Sequence, residues 1–271
     1  MLAGTVHPDP IDTHVHIFER GLSLAPNRRY APAYDAHAHA LMDDMQGTSV
    51  RRAILVQPSF LGTDNSFILN AIQDAPNVFR GVAVVDPHVS DAELANLVAG
   101  GIVGVRINCI GQSPPDLSSA AFHAFAERLA SLRAVLEVQA EGSQWQMVAP
   151  SLTTLPCAVL IDHFGRTDGC EGGALDLLLD ASAKNERVFF KFSAPYRLPP
   201  PAASLSAARI LATVGPGRVI WGSDWPWTGH EGGFSYADTL RWLAAWVPDD
   251  QERRALLCGN PGRLFALDWH D

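Results

Sequence analysis

Along the chain, short runs rich in Val, Ile and Ala alternate with longer segments whose apolar residues recur every three to four positions. The short runs suit buried strands and the longer ones amphipathic helices. Strands are predicted to end near His16, Gln57, Asp86, Asn108, Gln139, His163, Ser193 and Asp224, the first of them running from Ala3. Helices are predicted over 36–47, 65–74, 91–99, 120–132, 144–152, 175–184, 203–214 and 236–246, with a pair of short helical pieces in 250–267. Eight strand-then-helix units of this length predict an α/β fold, a (β/α)8 TIM barrel built from residues 1–271 as one domain. Asp64 or Asn65 is placed to cap the second helix, and Pro76-Asn77 and Pro216-Gly217 mark turns ahead of strands. The longest stretch without an element, 19–32, follows strand one and carries Arg28, Arg29 and Tyr30. It either folds over the barrel mouth or runs out across the surface.

Barrels of this kind carry their active sites at the carboxyl ends of the strands, so the strand ends can be read as one set. The polar residues stationed there are His14 and His16, Gln57 and Ser59, Asp86, Arg106 and Asn108, Gln139, His163 and Arg166, then Lys191, Ser193 and Arg197, and finally Asp224. The apolar runs before them are expected to fill the wall and the centre of the barrel. In a strand, side chains two apart share a face, so His14 and His16 project together while Val15 turns away. His37 and His39 repeat that spacing on a predicted helix, where positions two apart lie on nearly opposite faces; that pair is not expected to converge.

Composition narrows the partners. With 47% hydrophobic and 18% charged residues the chain is expected to be globular. A formal charge of -9 argues against nucleic acid or an anionic membrane, which need basic surface, and leaves room for a small anion held by a few arginines. The amino terminus shows no secretory pattern and no apolar run approaches membrane-spanning length, so a cytoplasmic protein is expected. Cys109, Cys157, Cys170 and Cys258 lack metal-type spacing and are expected as free thiols.

The segments IDTHVHIF (11–18), LVQPSFLGTDN (55–65), GVAVVDP (81–87), GVRIN (104–108), LIDHFGR (160–166), SAPYR (193–197) and VIWGSDWP (219–226) together resemble the amidohydrolase superfamily, of the amidohydrolase 2 type. Within it they are similar to the 2-pyrone-4,6-dicarboxylate lactonase group, and the likeness runs from residue 11 to NPGRLF at 260–265. The resemblance implies that Asp224 activates water and that His14, His16 and His163 surround a lactone carbonyl. A carboxylate can take a proton from water, and imidazole N–H groups can stabilise the oxyanion that grows on the attacked carbonyl. Arg106, Arg166 and Arg197 are the candidates for holding substrate carboxylates, because a planar guanidinium donates two parallel hydrogen bonds. Ser59 could add a hydroxyl contact. Trp225, Trp227 and Tyr196 either wall the pocket or pack in the core.

Two departures shape the expectation. Many amidohydrolases hold divalent ions with a bridging lysine or glutamate at strand four or five and a histidine on strand five; here those strands offer Arg106 and Leu136-Glu137-Val138-Gln139. A two-metal centre is therefore not expected. The resemblance implies hydrolysis without metal or other cofactor, and the alternative is one zinc ion on His14, His16 and Asp224, an open three-ligand set. The lactonase group also carries a further arginine shortly after the strand-four arginine and a tyrosine on strand five, where this chain has Cys109-Ile110-Gly111-Gln112 and Glu137. The expected substrate is thus a small carboxylate-bearing lactone, which need not be the pyrone dicarboxylate. The alternatives are a zinc-dependent hydrolase or decarboxylase, a sugar-acid lactone isomerase, and a non-catalytic carboxylate-binding barrel.

Overall fold

The computed structural model describes residues 9–269. The part of the predicted first strand before Asp9 lies outside them. Strands β1 (Ile11–Val15), β2 (Arg52–Val56), β3 (Phe79–Ala83), β4 (Ile102–Asn108), β5 (Val135–Gln139), β6 (Val159–Ile161), β7 (Val188–Phe192) and β8 (Val219–Trp221) follow one another around a single sheet in chain order. Every neighbouring pair from β1 to β8 is parallel. Helices α1 (Ala38–Gln46), α2 (Ser66–Asp74), α3 (Asp91–Ala99), α4 (Ala120–Ser131), α5 (Gln144–Leu152), α6 (Ala174–Lys184), α7 (Ala202–Val214) and α8 (Tyr236–Trp246) alternate with the strands, and α9 (Asp250–Arg254) and α10 (Asn260–Leu264) close the chain. This is the (β/α)8 barrel that the alternation predicts. No described helix is long and apolar enough to cross a membrane.

The ring closes at the carboxyl end. Beyond β8 the chain bridges back to β1 at Val15 and Trp225, with Asp224 N donating to His14 O (2.9 Å) and His16 N donating to Trp225 O (2.7 Å). This seam joins the first and last strands at the residues that carry candidate chemistry. Gly222 permits it: a Cβ there would stand 2.6 Å from His14 Cβ and 2.8 Å from His14 N, closer than atoms pack.

Two apolar cores result. One lies between barrel and helices, where outward residues such as Leu136, Val138, Phe190 and Phe192 meet helix residues such as Phe125, Leu129, Leu178 and Ile210. The other fills the amino end of the barrel with Ile11, Ile54, Val82, Val135, Leu160 and Ile220, and is plugged by Leu264, Phe265, Leu267 and Trp269 of the carboxyl-terminal segment. Above that plug the expectation of an apolar centre fails, because Lys191, Glu137, Asp162 and Arg106 are buried there against one another.

Three further differences have local causes. Strand β3 stops short of Asp86 because the Asn65 side chain takes the backbone N–H and C=O of Val84 (2.9 Å each), and exposed Asp86 accepts from His88 N instead of facing the mouth. Asn65 is the N-cap residue of α2, yet the accepting side chain is that of Asp64, which bonds Ser66 N at 3.1 Å. His37 and His39 do not diverge: their rings stack at 5.3 Å, because His37 is the extended N-cap of α1 (φ -83, ψ 154) and not a helical residue. Neither lines the mouth cavity.

Candidate active site

The site is best read from the barrel interior upward. The β7 side chain Lys191 is fully buried, donates to Glu137 Oε2 (2.6 Å) and His14 Nδ1 (2.8 Å), and stands 3.1 Å from Asp162 Oδ1 as an ion pair. Arg106 of β4 donates from Nε to Asp162 Oδ2 (2.9 Å) and from Nη2 to Gln139 Oε1 (2.8 Å). Lys191 and Arg106 thus face Glu137 and Asp162 in the buried interior, and such pairing is the condition under which buried charges are tolerated. Burial and the neighbouring Asp162 charge push the Glu137 carboxyl up to about 8, against Lys191 and Arg106. Burial pushes Asp162 up as well, but Lys191, His14 and Arg106 outweigh it and hold that carboxyl well below its usual range.

This layer decides which nitrogen of His14 carries a proton. An ammonium has only hydrogens to give, so Nδ1 accepts and the imidazole proton resides on Nε2. Burial, then the Lys191 charge, hold the ring well below its ordinary value, so it is neutral. Its Nε2 stands 3.6 Å from Asp224 Oδ1. His16 has the opposite arrangement. Its Nδ1 lies 2.8 Å from Val56 O, which can only accept, so in the neutral ring Nε2 is a free acceptor, 3.5 Å from Asp224 Oδ1. His163 contacts Ser193 Oγ through Nδ1 at 2.7 Å, and burial pushes its ring down to about 3.

Asp224 is divided between two tasks. Oδ2 accepts from Tyr196 OH (2.5 Å) and Arg197 Nε (2.8 Å), while Oδ1 is buried without a hydrogen-bond partner. Burial would raise this carboxyl, but Arg197 and then His163 outweigh it and hold the group well below the usual carboxylate range. Several of these residues sit on left-handed backbone: His163 (φ 51), Arg166 (φ 46), Ala194 (φ 51) and Asp224 (φ 60). For side chains other than glycine that conformation costs roughly 1 kcal/mol or more, and here it collects at the strand ends that carry the site.

Above lies a cavity of ≈ 220 Å³ lined by His16, Ser59, Arg106, His163, Arg166, Arg197 and Asp224, with Arg29 and Tyr30 from the 19–32 stretch. That stretch therefore folds over the mouth. Tyr30 and Tyr34 hold it there by donating to Glu231 Oε1 (3.1 and 2.8 Å) in the loop before α8. The volume is below the roughly 300–1,000 Å³ of pockets for drug-sized ligands, which suits one small ring.

The structure thus brings His16, Ser59, His163, the three arginines and Asp224 to one mouth, with His14 directly beneath. Each expected carboxylate clamp already holds an acid: Arg106 pairs with Asp162, Arg166 with Glu141 (2.7 Å) and Arg197 with Asp224. Gln57 turns away to hold its own loop at Gly62 O and Asp64 O, and Trp225 donates to Asp44 on α1. Sequence reasoning missed the contact of Tyr196 with Asp224 and the joint burial of Glu137, Asp162 and Lys191. Parity was the available signal, since all three sit at inward positions within apolar runs.

The zinc alternative can be tested on the donors. The compact cluster is His14, His163 and Asp224, so His163 takes the place expected of His16; a second set, His14, Glu137 and Asp162, surrounds the Lys191 ammonium. With Lys191 charged, His14 Nε2 carries a hydrogen and has no lone pair for an ion. The donor set does not fit a divalent metal in that state.

Comparison with known proteins agrees with this architecture. The chain is 30% identical to a 2-pyrone-4,6-dicarboxylate hydrolase of Comamonas testosteroni, across 94% of this chain and 89% of that protein. It is 28% identical to a 4-sulfomuconolactone hydrolase of Hydrogenophaga intermedia, across 96% and 89%. A crystal structure from Acinetobacter baumannii, described as a probable 2-pyrone-4,6-dicarboxylic acid hydrolase with citric acid bound, superposes with a TM-score of 0.89 at 34% identity, covering 96% of this chain and all of that one. The profile of the amidohydrolase family matches residues 11–267, and the chain belongs to that family.

Proposed function

We propose that the protein opens a small anionic lactone by water activated at Asp224, without a metal ion. The observation that carries this reading is the division of Asp224: Oδ2 is fixed by Tyr196 and Arg197, while Oδ1 is buried, unpaired and faces both His14 Nε2 and His16 Nε2. A water in that gap gives one hydrogen to Asp224 Oδ1 and the other to His16 Nε2, leaving a lone pair for the carbonyl carbon. As its oxygen bonds to that carbon, the proton passes to Asp224. The His14 Nε2–H donates to the oxyanion that forms. Collapse of the tetrahedral species breaks the ring C–O bond, and the leaving oxygen recovers the proton from Asp224. The product carries one more carboxylate than the substrate.

A carboxyl held well below its usual range is a weak base, which sets a requirement on the substrate. An anionic substituent that draws Arg197 toward itself strengthens Asp224 as a base when the ring is in place. Relatives named for carboxylated and sulfonated lactones, 2-pyrone-4,6-dicarboxylate and 4-sulfomuconolactone, support an anionic ring of that size. The test is a panel of such lactones incubated with chelated, metal-analysed protein and followed by mass. Hydrolysis adds one water, isomerisation leaves the mass unchanged and decarboxylation removes carbon dioxide. Addition of water by metal-free protein is expected; loss of turnover on chelation with recovery on zinc overturns the metal-free step.

A further inference from the structure

Four guanidiniums line the mouth, and three of them are committed to acids. The fourth, Arg29, has no hydrogen bond or ion pair to any acid among the described residues, although it stands in the field of Arg166, of Glu141 and of Arg197 and Arg106. We infer that Arg29 is a second anion subsite, delivered by the loop after β1, and that it selects lactones carrying two anionic groups. The inference rests on the lactone reading of the same site.

Three observations support it. Arg29 is placed by the fold rather than by a charge partner: its stem crosses Gly111, where a Cβ would stand 2.5 Å from Arg29 Cδ. Gly111 (φ +76) thus leaves the space after β4 through which a long side chain from another loop reaches the cavity. The segment carrying Arg29 is also anchored on both sides, by Ala25 N donating to Phe60 O (2.8 Å) and by Tyr30 and Tyr34 donating to Glu231. Glu141, paired with Arg166, offsets only part of the repulsion among these guanidiniums, and a bound anion removes more of it. Arg29 and Arg166 line the same cavity, and the second anionic group is placed between them. The first group lies deeper, toward Arg197 beside Asp224.

The discriminating quantity is a preference ratio, kcat/KM for 2-pyrone-4,6-dicarboxylate over kcat/KM for 2-pyrone-6-carboxylate. Arg29→Met is expected to lower that ratio about 10- to 100-fold, the worth of a charge-assisted hydrogen-bonded contact. Arg29→Lys, which keeps the charge and loses the planar fork, should recover only part of it. Calorimetric binding of the same two compounds to the same variants needs no turnover. If neither compound is turned over but Arg29→Met still weakens the dicarboxylate selectively, the hydrolase reading fails and the subsite stands. An unchanged ratio, and equal binding losses for both compounds, overturn the subsite.

Discussion

Replacing Lys191 and Glu137 together, as Lys191→Met with Glu137→Leu, removes the ammonium and the carboxyl bonded to it and leaves Arg106 facing Asp162. The balance matters, because deleting one partner of a buried pair costs about 3–5 kcal/mol while deleting both can be nearly neutral. What the double variant loses is the constraint on His14. Its Nδ1 stands 3.5 Å from Asp162 Oδ1, the acceptor that remains. Without the ammonium the imidazole proton moves to Nδ1, and Nε2 becomes a lone pair facing Asp224 Oδ1. The carbonyl then has no donor from His14, a loss of about 10²- to 10³-fold in kcat. Lys191→Met alone behaves differently. The Lys191 charge is one cause of the depressed His14 value, so its removal raises that value, and the imidazolium regains an Nε2–H. Activity of the single variant should therefore survive at low pH and fall as pH rises through the new His14 value, whereas the double variant is slow throughout. Steady-state kinetics from pH 5 to 9, with nitrogen-15 NMR of the His14 ring, read both effects. A folded double variant within about threefold of the native kcat, against the 10²-fold or more expected, refutes the reasoning.

Other outcomes follow from the same geometry. Gly222→Ala should lower stability by about 1–3 kcal/mol and reduce kcat, since the added Cβ forces β1 from the seam that sets the separation of His14 and Asp224; urea unfolding and kinetics check it. Phe265→Ala, at the barrel plug, should cost about 3–5 kcal/mol in urea while leaving kcat of the folded enzyme intact, because the plug lies at the end opposite the mouth. Stability should fall as pH drops from 6.5 toward 3: His163 stays neutral in the fold but protonates when unfolded, so its contribution is full above the unfolded value and is lost at roughly 1.4 kcal/mol per pH unit on acidification. His163→Asn should flatten that slope in denaturant titrations at several pH values.

Much of this was legible in the chain because a parallel barrel writes its register into alternation. Helices α3, α5 and α8 begin and end where the apolar periodicity places them. His14, His16, His163 and Asp224 meet because each stands at a strand end, a one-dimensional property. The interior layer was less legible, since a charged residue in an apolar run, such as Lys191 between Phe190 and Phe192, reads singly as a rim residue. Only the ring shows that Glu137, Asp162 and Lys191 reach one height. Asp86 was misplaced because a side chain from α2's cap, Asn65, ends β3 early by taking backbone pairs that strand patterning assigns to the ladder. Tyr196 and Arg29 depend on loop paths, and no periodicity encodes those.

In the proposed reaction Asp224 Oδ1, buried and unpaired, takes the proton of the attacking water. Asp224→Asn keeps the shape and the acceptor for Tyr196 and Arg197 while removing the base, so the measurement is lactone turnover and calorimetric binding on one sample of chelated protein. In Asp224→Asn kcat should fall by about 10²- to 10⁴-fold with the lactone still bound. A variant that hydrolyses the lactone at a rate comparable to the native enzyme contradicts it.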